Sequence, residues 1–261
     1  CSSTPACQPP LPPPLSQRGA GAEVPAELER IVANLERFRS QEREADLKVE
    51  PPVIFVSTQP AILVLLDGKP LMSPIEDNEL KFAVNTNWDL FELNGTYYLR
   101  NDDGWIKSEA LGGPWLPAGK LPKSFKKLPK KDPNWSEVRK HLPGRKITAD
   151  DVPIVYLSEA PAELILLDSD PTFSMVAGTK LLWVDNTDSD LFLSSESSTF
   201  YYLVSGRWFR AASLEGPWSF ATLELPDDFA RIPADHPRAR VRSSVPGTPE
   251  AQEAILQAQI P

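Results

Sequence analysis

Most of the residue types on which active sites are built are scarce in this chain. Histidine occurs twice, at His141 and His236, and cysteine twice, at Cys1 and Cys7. No His/Cys metal cluster is expected from such a set, and the body must fold without disulfides, as an exported protein or a cytosolic one could. There is no glycine-rich phosphate loop, no Gly-x-Ser-x-Gly and no His-Glu-x-x-His, so the usual phosphate, acyl-transfer and zinc-protease sites are missing. Basic residues are outnumbered, 27 Lys and Arg against 36 Asp and Glu, for a formal charge of -9. A general nucleic-acid binder needs the opposite balance, because phosphate binding draws on a basic face. No apolar run approaches the ~20 residues that span a bilayer. The reading is therefore non-enzymatic: no catalytic residue, no metal, no cofactor and no nucleic-acid partner is expected.

What the chain does have is an internal repeat. Tyr201-Tyr202-Leu203, a Ser205-Gly206 break, Arg207-Trp208-Phe209 and Gly216-Pro217-Trp218 answer Tyr97-Tyr98-Leu99, an Asp103-Gly104 break, Trp105-Ile106-Lys107 and Gly113-Pro114-Trp115. Upstream, Pro60, Leu65-Leu66-Asp67, Asn85-Thr86 and Asp89-Leu90-Phe91 recur at one offset of 101 as Pro161, Leu166-Leu167-Asp168, Asn186-Thr187 and Asp190-Leu191-Phe192. The offset drifts to 104 at the Tyr-Tyr pairs and settles at 103 for Gly-Pro-Trp. Two copies of one unit follow, module 1 over 52–129 and module 2 over 153–233.

Within each unit, apolar runs such as Val53–Val56, Ile62–Leu66, Ile154–Leu157 and Leu164–Leu167 are bounded by proline and glycine, which reads as buried strands. Asn94-Gly95 is a hairpin turn, because asparagine and glycine reach positive φ cheaply. The expected fold is mainly β: two tandem antiparallel β-meanders of five or six strands, with an amphipathic helix before them and a short helix after. Two such meanders, each with an apolar face to hide, are expected to pack as a pseudo-twofold pair rather than as separate beads. Alternation puts Trp208 and Phe209 on opposite faces of one strand, so one of the two should be less buried.

The flanks differ from the body. Residues 1–24 form a proline-rich tether, polyproline-like and then flexible. Over 25–48, Leu28, Ile31, Val32, Leu35 and Phe38 fall at helical spacing, a stripe suited to docking on a module or another subunit. Residues 130–152 are a connector inside a stretch with ten Lys or Arg between 120 and 146 against Asp132 and Glu137. It reads as a solvated linker or as a contact for an acidic partner or anionic lipid. Residues 234–261 are a tail whose helix starts at Thr248-Pro249-Glu250. Cys1 followed by Ser2-Ser3-Thr4 and a proline-rich run resembles a mature bacterial lipoprotein. That resemblance implies lipidation of Cys1, export to the periplasm or cell surface and, with serine second, anchorage to the outer membrane. A short Cys1–Cys7 disulfide loop is the alternative.

Two groups of recurring residues invite a site. The carboxylates Asp67/Asp168 and Asp89/Asp190 recur, but each sits at a turn or a strand start, so structure explains them better than catalysis does. The rings Tyr98, Trp105, Trp115, Tyr202, Trp208 and Trp218 are the candidate ligand-stacking residues, since flat rings on a β-surface stack on sugar faces. Core packing under the Gly-Pro turn competes with that role.

Several of these motifs together carry a resemblance. Pro161–Leu164, Asn186–Phe192, Tyr202, Ser205–Phe209, Ser213-Leu214-Glu215-Gly216-Pro217-Trp218 and Asp228–Pro233, continued through Ser244–Thr248 to Pro261, resemble bacterial exported proteins labelled carbohydrate-binding family V/XII. Blades of glycosidase β-propellers are more loosely similar. Module 1 departs from the pattern at Leu111-Gly112-Gly113 and in the Asn101–Gly104 loop. The resemblance implies an exported, glycan- or peptidoglycan-binding surface protein using exposed Trp and Tyr. The residues alone favour a binding or scaffold protein that docks on a larger envelope or membrane complex. A glycoside hydrolase is the remote alternative, because the paired carboxylates such an enzyme needs are not evident.

Overall fold

The computed structural model describes residues 49–258. Cys1, the tether and the expected helix with Leu28, Ile31, Leu35 and Phe38 lie outside the described residues. Everything from Val49 onward belongs to one compact unit. Among the described residues no helix is long and apolar enough to cross a membrane.

The fold is mainly β and the two copies are plain in it. Met72–Pro74 (β3), Lys81–Ala83 (β4), Leu90–Leu93 (β5), Thr96–Asn101 (β6), Gly104–Ser108 (β7) and Leu116–Pro117 (β8) form one antiparallel six-stranded sheet in chain order. Phe173–Met175 (β11), Leu181–Val184 (β12), Leu191–Ser194 (β13), Thr199–Val204 (β14), Arg207–Ala211 (β15) and Ser219–Phe220 (β16) form the other. The Gly-Pro-Trp turn recurs because glycine is required: Gly113 and Gly216 both have φ +86, and a Cβ there would come within 3.2 and 3.0 Å of the indole that follows.

The first two strands of each copy do not join their own meander, which corrects the expectation. Val53–Ser57 (β1) pairs in parallel with Ala162–Leu166 (β10), and Ala61–Leu65 (β2) in parallel with Ile154–Ser158 (β9). Val53 N–H donates to Pro161 O at 3.0 Å and Ile154 N–H to Pro60 O at 2.9 Å; Leu66 N–H donates to Ser158 O and Leu167 N–H to Ser57 O, each at 2.9 Å. Each bond maps onto its mate when the two copies are exchanged, so the copies are related by a pseudo-twofold.

This exchange arises because strands apolar on both faces need cover on both sides. Ile62 and Val64 of β2, with Val155 and Leu157 of β9, pack on Ala83, Leu90, Leu99, Ile106 and Trp115 of the first sheet. Ile54 and Val56 of β1, with Ile165 of β10, pack on Val184, Leu191, Tyr202 and Phe209 of the second. The inner core under each sheet is thus made by strands from both copies.

The outer face of each sheet is covered by the chain that follows it. Phe125, Leu128, Trp135 and Val138 cover Phe91, Tyr98 and Trp105. Phe229, Ile232, Val241 and Val245 cover Phe192, Tyr201 and Trp208. Two expectations are overturned here. The stretch from 130 is not a solvated linker, since Trp135 and Val138 are buried; it is the end of the first copy. Val138-Arg139-x-x-Leu142-Pro143-Gly144 is matched by Val241-Arg242-x-x-Val245-Pro246-Gly247, and Arg139 and Arg242 donate to the carbonyls of Pro129 and Ile232. Trp208 and Phe209 do point to opposite faces, yet both are 0% exposed, because their strand has a core on each side.

The tyrosines are also re-paired. Tyr98 stands opposite Phe91 and Tyr201 opposite Phe192, and each meets a phenylalanine edge-on, Phe125 at 5.4 Å and Phe229 at 5.2 Å. Tyr98 therefore matches Tyr201, at an offset of 103, and not Tyr202. A slip of one residue would turn every side chain to the other face. The described residues close with a helix over Pro249–Ala258, with Thr248 Oγ1 accepting from Ala251 N–H at 3.2 Å.

Candidate functional site

The six rings singled out for ligand stacking are spent on packing. Trp105 and Trp208 are buried, and their indole N–H groups donate to His141 O and Ser244 O, each at 2.9 Å. Tyr98 and Trp115 are buried, as is Tyr202, whose hydroxyl is pushed up to about 12 chiefly by burial. Trp218 is partly buried, edge-on to Tyr202 at 6.0 Å, with its N–H donating to Leu214 O. Stacking on a sugar needs an open ring face. The expected assignment of these residues to stacking is corrected accordingly: a sheet with a core on each face leaves Tyr98, Trp105, Tyr202 and Trp208 no solvent side, and Trp115 and Trp218 pack at their Gly-Pro turns.

The recurring polar residues hold the frame. Asp89 pairs with Arg100 at 2.5 Å, and Asp190 with Arg240 at 2.8 Å and Arg238 at 3.7 Å. Asn85 donates to Asp67 O and Lys69 O, each at 2.9 Å, and accepts from Leu71 N–H; Asn186 makes the same brace to Asp170 O and Thr172 N–H. Among the described residues no group of three or more His, Cys, Asp or Glu could hold a metal ion.

A groove of about 470 Å³ opens where β12 ends, between Trp183, Asp185, Asp188 and Arg238. Several of its polar groups are already engaged. Arg238 donates to Asp188 O at 2.9 Å and to Thr187 O, and its guanidinium lies 5.6 Å from the Trp183 ring. Asp185 accepts from the hydroxyls of Ser174 and Thr172, which hold its carboxyl below the usual carboxylate value. The equivalent groove of the first copy, about 280 Å³, is lined by Trp88 and Trp135 instead. What differs between the copies is filling; a set of groups converging on a ligand is found in neither.

The largest difference lies at the open end of the inner sheet faces, beyond the exchanged strands. In the first copy this end carries Pro74, the cross-strand pair Lys81–Glu92 at 3.0 Å, and Tyr97. The same positions in the second copy are Met175, Leu182, Leu193 and Phe200. Met175 is 84% exposed and Phe173, two residues before it on the same face, is 40% exposed; Phe173 lies 6.4 Å from the Phe200 ring. An ion pair and a proline have been replaced by an uninterrupted apolar strip.

The sheet edge changes with it. β11 is the outermost strand of its sheet, as β3 is of the other. Asp185 N–H donates to Thr172 O and Val176 N–H to Leu181 O, so by the alternation of an antiparallel ladder the main-chain groups of Phe173 and Met175 point away from β12. In β3 the residue matching Met175 is Pro74, which has no N–H to offer. Proline is a standard block on an exposed edge, and the second copy lacks it. Aligning the copies at an offset of 101 along β3 to β5 would have exposed this substitution pattern in the sequence.

No family model, no curated protein and no solved structure matches the chain.

Proposed function

We propose that this is a non-enzymatic, exported binding or scaffold protein that docks on a larger envelope or membrane assembly through its second copy. The observation that carries the reading is the strip of Met175, Leu182, Leu193, Phe200 and Phe173, set against Lys81–Glu92 and Pro74 at the same place in the first copy. One scaffold made twice, once with a charged end and once with an apolar one, is a contrast that folding alone does not require. An exposed apolar patch rimmed by polar residues is the surface feature most typical of a protein contact. Glycan binding has no such support, because five of its six candidate rings are buried and the sixth, Trp218, is partly buried against Tyr202.

A photo-crosslinking residue placed at Met175 in cells that make the protein, with the same residue at Pro74 as the control, tests the proposal. The expected result is one discrete, near-stoichiometric protein adduct from position 175 and none from position 74. No adduct from either would overturn it. Anchorage through Cys1 belongs to the same proposal and is read separately, as a diacyl or triacyl mass on the N-terminal peptide.

A further inference from the structure

The edge strand β11 has a register that fits a second copy of itself, and we propose that the chain forms a twofold homodimer by antiparallel β11–β11 pairing. The inference rests on the docking reading above and names one occupant for that face.

The argument starts from the backbone. The outward groups belong to Phe173 and Met175, which flank Ser174 symmetrically. In an antiparallel pair centred on Ser174, Phe173 of one copy stands opposite Met175 of the other, and the reverse. Both positions become hydrogen-bonded pairs, giving four main-chain bonds, while the two Ser174 residues form the non-bonded pair between them. The two sheets would then run on as one.

Side chains agree with that register. Phe173 and Met175 lie on the apolar face, so each cross-strand pair sets a thioether against an aromatic ring, a favourable contact. The strip of one copy continues into that of the other through these pairs, and Met175, the most exposed apolar side chain of the body, is covered.

Charge sets the direction. One end of β11 leads back to Asp168 and Asp170, with Asp185 beside it, while the other leads through Gly178 to Lys180, which pairs with Glu196 at 2.6 Å. Antiparallel pairing places each acidic end against the partner's Gly178–Lys180 turn. Parallel pairing would stack the acidic ends on each other. An edge strand of three residues with this strip beside it falls short of the ~800 Å² per partner of a standard stable interface. The dimer is therefore weak and concentration-dependent. Because each chain carries a net charge of -9, added salt screens the repulsion between copies and strengthens it.

The experiment is sedimentation equilibrium of the full chain over about 1–500 μM, at low and high sodium chloride. The wild type is expected to move from monomer to dimer across this range, more readily at high salt. Met175→Pro restores the block of the first copy and should weaken the dimer at least tenfold. Leu182→Lys with Leu193→Glu restores the first copy's ion pair and should do the same; as half-buried positions that hold a charge pair in the other copy, they leave folding intact, which near-ultraviolet circular dichroism verifies. A chain that stays monomeric at the highest concentration overturns the proposal, and so does a dimer that both variants leave unchanged. Either result leaves the docking reading standing if position 175 still crosslinks to a different protein, so the two fail separately.

Discussion

The ring of Phe55 lies 4.7 Å from that of Tyr156, with 25° between their planes, and the Tyr156 hydroxyl donates to Val56 O at 3.1 Å. The two residues are the same position in the two copies, 101 apart. A residue stacked on its own counterpart marks the place where the pseudo-twofold passes, and on either side of it each copy hands its first strand to the other. Neither sheet has a complete inner core without residues from both halves.

One consequence is cooperativity. Both halves should unfold together, in a single calorimetric transition whose van't Hoff and calorimetric enthalpies agree. Two resolved transitions in differential scanning calorimetry, assignable to the two copies, would contradict the shared cores. Tyr156→Ala should lower that one transition as a whole.

A second prediction concerns the tryptophans. Trp208 is fully buried between Phe192 and Phe229 and its N–H is bonded to Ser244 O, so Trp208→Ala should cost about 3–5 kcal/mol in a urea titration. Trp218, partly buried at the turn, should cost visibly less. Equal and small losses for the two would mean that Trp208 is not a core residue.

The third is a pH dependence. Burial raises the Tyr202 hydroxyl from 10.0 in the unfolded chain to about 12 in the folded one. The folded state therefore holds the proton more tightly. The stabilisation is complete below pH 10 and is lost as pH rises from 10 towards 12, on the order of 2–3 kcal/mol for a shift of this size. Tyr202→Phe should flatten the stability profile in that window. A wild-type profile with the same slope as Tyr202→Phe would count against it.

Much of this fold is legible in the chain. The offset of 101, the hairpin turns and the Gly-Pro-Trp corners depend on local chemistry, and the structure has all of them. The exchange of β1 and β9 is a different kind of fact: an apolar run such as Val53–Ser57 declares that it is buried, but nothing in it says against which copy. The Tyr-Tyr dipeptides align in two ways one residue apart, and only the register against Phe91 and Phe192 separates them. The end of the first copy was hidden by its lysines, which draw attention to charge and away from Val138, Leu142 and Gly144. The apolar strip was hidden for a related reason: Met175, Leu182 and Leu193 look like ordinary strand residues until Pro74, Lys81 and Glu92 are set beside them.

Strand exchange also bears on how a body like this can arise. Each copy lends its first strand to its twin's sheet, β1 to the second and β9 to the first, and keeps its second strand under its own. Two separate molecules of a single copy possess every surface needed to build the same four layers as an interlocked homodimer. Joining them end to end adds only a covalent link and turns one gene product into two positions that can change independently. A symmetric dimer must wear the same face twice; a fused one can keep Lys81 and Glu92 on one side while presenting leucines on the other.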